Sequence, residues 1–155
     1  MSKNYSESFE KMRIAGKLAA RTLDEVTAFV KPGVNTNFLD KICYEYIKDN
    51  GGNSAPLYYR GFPKSCCISA NHVVCHGIPS EKMLEEGNII NIDVTAIVNG
   101  YHGDTSRMFF VGDISVKGKN LVNATYESMM KGISIIKPGI KLGNLGAIIQ
   151  EHVET

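Results

Sequence analysis

The stretch NIINIDVTAIVNGYHGDTSRMFFV (88–111) decides the fold. Two runs rich in β-branched and aromatic residues flank Asn99-Gly100. Both turn residues accept positive φ, so the pair closes a two-residue hairpin whose arms are expected at 88–98 and 101–111. With that loop, paired positions sum to 199, so Asp104 faces Thr95 and Asp93 faces Ser106. Side chains alternate faces with period two, which puts Asp93, Thr95, Asp104 and Ser106 on one face. Ile90, Ile92, Val94, Ala96 and Val98 form the other face of the first arm, an apolar set suited to a core. Asp93 and Asp104 are then diagonal neighbours, roughly 5–8 Å apart at Cβ.

Two carboxylates this close on an apolar hairpin repel each other and lose hydration. Either one takes up a proton or a cation binds between them. Oxygen ligands at this spacing suit one or two divalent ions. Three other readings compete: solvent-facing Asp residues, an Asp104–Arg107 ion pair, and a metal-free acid–base pair of carboxylates.

Outward from the hairpin, residues 6 to 30 read as an amphipathic helix with Phe9, Met12, Ala15, Ala19, Leu23, Val26 and Phe29 on its apolar stripe. Lys31-Pro32-Gly33 stops it. A second helix follows a cap at Asn35 or Thr36, with Phe38, Leu39, Ile42, Cys43, Tyr46 and Ile47 as its stripe, and Gly51-Gly52 closes it. Short strands are expected near 65–70 and 73–75, and two more helices at 119–136 and 142–154. The whole reads as an α+β chain.

An internal repeat runs through this pattern. FVKPGVNTNFLDKICYEYI (29–47) lies on IIKPGIKLGNLGAIIQEHV (135–153) at a constant offset of 106. It divides the chain into a half-repeat of about 7–112 and an incomplete one at 113–155. The last helical pattern reaches Thr155 without a cap, so the expectation is a chain cut short within one domain, 1–155.

Composition narrows the function classes. The 155 residues suit one domain, and 17 Lys plus Arg against 16 Asp plus Glu give no basic surface for a polyanion. No stretch approaches the roughly 20 apolar residues of a membrane helix. The opening MSKNYSESFEKM has no signal-peptide core, and four cysteines without CxxC spacing read as reduced thiols, so a cytoplasmic location is expected. HVVCH spaces His72 and His76 four apart, but Val73, Val74, Gly77 and Pro79 argue for strand and turn rather than a helical metal face. A structural zinc site from Cys67, His72, Cys75 and His76 lacks knuckle spacing.

GFPKSCCISANHVVCHGIP (61–79), NIDVT (91–95) and YHGDTSRMF (101–109), with the helices and KPG turns, resemble type I methionine aminopeptidases over nearly the whole chain. The resemblance implies a pita-bread (creatinase/aminopeptidase) fold, an antiparallel sheet with helices on one side. Here the chain supplies the first half-repeat and the first helices of the second. It implies metal-dependent removal of the initiator methionine from nascent proteins.

Two divalent ions (Co, Mn, Fe or Zn) are implied, with Asp93 and Asp104 matching two of five ligands. The others, one His and two Glu, match no position here, so this chain alone is expected to be inactive. His76 matches a histidine that binds substrate near the scissile amide and assists catalysis. Tyr59, Phe62 and Cys67 match the pocket for the methionine side chain, and Asn71 and Val73 match backbone ligands of a monovalent cation. Pro56 and Arg60 depart from the Cys and His common in relatives, which bears on substrate preference.

The implied substrate is a peptide with N-terminal Met and a small second residue, including ribosome-associated nascent chains. No specific nucleic acid and no membrane are implied, and the full-length protein is expected to be a monomer. The alternatives are a non-catalytic RNA- or chromatin-associated relative on the same fold, and a proline-specific relative such as a prolidase.

Overall fold

The computed structural model describes residues 5–155, in two compact units that divide after Ile114. The first unit carries two helices and a small sheet. Helix α1, Ser6–Thr27, buries Ala15, Leu18, Ala19, Thr22, Leu23 and Val26, a row at spacings of three and four. Thr22 belongs to that row because its hydroxyl donates to the Leu18 carbonyl at 2.9 Å, so no polar atom is stranded. Phe9 and Met12, expected on the buried stripe, are 53% and 50% exposed. The first turns of α1 meet the hairpin through Ser8 and Lys11, which contact Tyr101, so Phe9 turns aside and stacks on Tyr5. The helix also stops at Thr27, short of Phe29.

Helix α2, Thr36–Asp49, starts where the Asn35 side chain accepts from the Phe38 N–H at 2.8 Å. It buries Thr36, Leu39, Asp40, Cys43 and Ile47. Phe38 remains 41% exposed and packs edge-on against Phe29.

Four antiparallel strands follow: β1 Asn53–Ser54, β2 Cys67–Ala70, β3 Ile89–Val98 and β4 Tyr101–Phe110. β3 is central. β1 and β2 pair with different stretches of it, and β4 lies along its other edge. Asn99 (φ 50°) and Gly100 (φ 81°) both take the left-handed conformation, and the register is the one the two-residue loop requires: Asp93 faces Ser106 and Thr95 faces Asp104.

Ile90, Ile92, Val94 and Ala96 are fully buried, on the sheet face that α1 and α2 cover. The other face carries the acidic pair. Residues 73–75 form no strand, because Asn71, at φ 54°, turns the chain out of β2 and Val73 N–H bonds back to Ala70.

The second unit is a helical pair. α3, Val116–Ser134, begins three residues earlier than its apolar pattern suggested, because the Ser115 hydroxyl caps it by accepting from Gly118 N–H at 3.1 Å. α4, Leu142–Val153, joins it through Lys131 and Glu127, which meet His152. The bond from Ile140 N–H to Lys137 O, 3.2 Å, matches that from Val34 N–H to Lys31 O, 3.3 Å.

Candidate metal centre and peptide pocket

The hairpin register brings Asp93 and Asp104 together on the face away from the helices. They stand one diagonal step apart, with Asp93 opposite Ser106 and Asp104 opposite Thr95. Asp93 is raised above its ordinary value, first by burial, then by the charge and hydrogen bond of Asp104, with His76 acting in the opposite sense. A proton shared between two carboxylates occupies the place a cation takes in a carboxylate site. The donor set therefore fits a hard divalent ion.

β2 delivers Cys67 directly opposite Asp93. Its thiol is pushed up to about 11, by burial first and by the negative charge of Asp93 next. The loop after β2 is pinned back by two bonds, Ile68 N–H to Gly77 O at 2.9 Å and Gly77 N–H to Ser69 Oγ at 3.0 Å. Between those anchors His76 adopts φ 54°, an uncommon conformation for a non-glycine residue, and its ring joins the acidic pair. Tyr59 opens a 3₁₀ turn, Tyr59–Gly61, and Phe62 follows it as the C-cap, with Tyr58 N–H donating to Phe62 O at 2.8 Å.

These side chains line one open cavity of about 850 Å³: Tyr59, Phe62, Cys67, His76, Asp93 and Asp104, with Pro56, Arg60, Ile78 and Thr95. His102 also lines it. It was not singled out from the sequence, although its parity with Asp104 places it on the same face of β4. Asn71 and Val73 lie outside this lining. Asn71 Oδ1 accepts from Ile89 N–H at 3.1 Å.

Among the described residues, no three His, Cys, Asp or Glu side chains gather as a metal cluster, so Cys67, His72, Cys75 and His76 do not form a zinc site. Arg107 ion-pairs with Asp24 at 2.9 Å rather than with Asp104.

The profile of metallopeptidase family M24 matches residues 10–155. This chain belongs to metallopeptidase family M24. It is 55% identical to a methionine aminopeptidase of Rickettsia prowazekii over 148 residues, 96% of this chain and 57% of that relative. The chain thus spans a little over half the length of its curated relatives. A crystal structure of methionine aminopeptidase from Rickettsia prowazekii superposes with a TM-score of 0.95 at 55% identity, covering 99% of this chain and 62% of that one. For one from Thermotoga maritima the TM-score is 0.94 at 37% identity, with the same coverage. The fold is the pita-bread fold of M24, and membership of a metallopeptidase family implies divalent metal. Among the described residues, no helix is long and apolar enough to cross a membrane.

Proposed function

We propose that the protein carrying this chain is a methionine aminopeptidase, which hydrolyses the bond after an N-terminal methionine when the second residue is small. One observation carries the reading: the register that sets Asp93 and Asp104 side by side on the open face of the sheet, in one cavity with His76.

Asp93 and Asp104 hold the divalent ions in this reading, two per complete site. When bound, the ions supply Lewis acidity toward the scissile carbonyl and the hydrolytic water. His76 hydrogen-bonds the scissile amide and steadies the charge that develops there. Tyr59, Phe62 and Cys67 receive the methionine side chain, since a polarisable thioether is well hosted by aromatic and sulfur surroundings. The backbone oxygens of Asn71 and Val73 are assigned to a monovalent cation. Nascent peptides in the cytoplasm are the proposed substrates, and the full-length protein is proposed to be a monomer.

The two Lys-Pro-Gly turns support a duplicated half, about 7–112 and 113–155. α2 and α4 start 106 positions apart, at Thr36 and Leu142.

The test uses the full-length protein with manganese or cobalt and the peptide Met-Ala-Ser, with an X-Pro peptide as control. Asp104→Ala should lose metal and activity while keeping its circular dichroism. Full activity in that variant would rule the reading out. Cleavage of X-Pro in preference to Met-Ala would favour a proline-specific enzyme.

A further inference from the structure

The cavity has a charge polarity that the acidic pair does not explain. Among the described residues, Arg60 is the one permanent cation of its lining. Among the described residues Arg60 makes no ion pair with an acidic side chain. The charges that bear on Asp93 are those of Asp104 and His76, and Arg60 is not among them. Its guanidinium carbon lies 5.4 Å from the centroid of the Tyr59 ring. That contact restrains the planar fork while leaving N–H donors open, a disposition suited to a carboxylate.

The backbone beneath is also fixed. Tyr58 and Arg60 both take left-handed conformations, φ 66° and 48°, and the turn is closed by Tyr59 N–H to Pro56 O and Phe62 N–H to Tyr59 O. Non-glycine residues held this way are uncommon and occur at ligand clamps. Arg60 is thus presented to the cavity from a tight turn.

We propose that Arg60 is a specificity-determining residue, one that takes a peptide carboxylate downstream of the scissile bond. The inference rests on the aminopeptidase reading, in which the substrate's amino end lies at the acidic pair and the peptide leaves along the cavity. A chain held by its amino end at the metal-bearing acidic pair can then present a downstream carboxylate to Arg60, which lines the same cavity. The carboxylate has two sources, an acidic side chain at the third position or the free C-terminus of a short peptide.

Four peptides separate them: Met-Ala-Asp and Met-Ala-Asn, each as C-terminal amide and as free acid. The full-length, manganese-loaded protein should show kcat/KM about three- to fivefold higher for the Asp amide than for the Asn amide, mainly through KM, the scale of an exposed ion pair. A gain confined to the free acids assigns Arg60 to the C-terminus instead. Either preference should fall toward one in Arg60→Gln, persist in part in Arg60→Lys, and shrink in molar salt. An unchanged preference in Arg60→Gln, or none in the wild type, overturns the proposal. Calorimetric binding of the same peptides to metal-free protein gives the Asp-to-Asn and acid-to-amide ratios without turnover. If Met-Ala-Ser is not cleaved at all, the aminopeptidase reading fails while that binding ratio still decides Arg60.

Discussion

Asp104 stands across the hairpin from Thr95, one diagonal step from Asp93. Burial first, and the nearby charge of Asp104 next, raise Asp93 above its ordinary value of 3.8. A carboxyl whose folded pKa is raised contributes its full stability below the unfolded value and loses it as pH rises through the folded one. Metal-free protein should therefore gain from Asp93→Asn near neutral pH, relative to the wild type, more than it does in acid. Denaturant unfolding with chelator at about pH 4 and about pH 7 measures this difference. Equal destabilisation by Asp93→Asn at both pH values would contradict it.

The hairpin lies so close to α1 that a Cβ on Gly103 would run into the backbone of Ala15 and Gly16. Backbone cannot step aside as a side chain can. Gly103→Ala should cost about 2–3 kcal/mol by overpacking. Gly16→Ala gives the opposite sign, because nothing lies within 4 Å of a Cβ there and Gly16 is interior to α1. Its expected gain is about 0.5–1 kcal/mol, the usual glycine penalty within a helix. Urea unfolding of both variants settles the pair, and a stable Gly103→Ala protein would mean that α1 sits further from the sheet.

The hairpin was legible because Asn99-Gly100 fixes both loop length and register, and the register fixes which faces carry acid and oil. The cap at Asn35 follows from side-chain chemistry within one turn of backbone. The failures are non-local. Val73 and Val74 have strand propensity, but a left-handed Asn71 redirects the chain. β1 is two residues long and carries no period. Tyr59, Phe62 and Cys67 were named through family resemblance alone, since a loop approaching a sheet from a distance leaves no periodic trace.

Asp40, only 9% exposed, holds the entry to β2. Its Oδ1 accepts from Ser65 N–H at 2.8 Å, Ser65 Oγ at 2.6 Å and Cys66 N–H at 3.0 Å. Those bonds fix the two residues before Cys67, and hence the wall of the cavity. Asp40→Ala strands two backbone donors and should cost about 3–5 kcal/mol. Asp40→Asn retains an acceptor oxygen and should cost less than half as much. Thermal unfolding of the two variants gives the comparison, and equal losses would show that the charge rather than the geometry matters.

The four thiols should react in an order set by burial and charge. Cys43 and Cys66 are fully buried, Cys67 is 8% exposed, and Cys75 is exposed. Only the thiolate attacks an alkylating agent, and with the Cys67 thiol pushed up to about 11, about one molecule in a thousand carries it at pH 8. Iodoacetamide should label Cys75 first and Cys67 far more slowly, as read by peptide mass spectrometry over time. Asp93 supplies the largest electrostatic part of the Cys67 shift after burial. Asp93→Asn should therefore speed labelling of Cys67 while leaving Cys75 labelled first. The rate change reports the nearness of Cys67 to the acidic pair in metal-free protein, so it checks the geometry of the site independently of any turnover. Equal rates at Cys67 with and without the Asp93 charge would place the thiol too far away to line the same cavity.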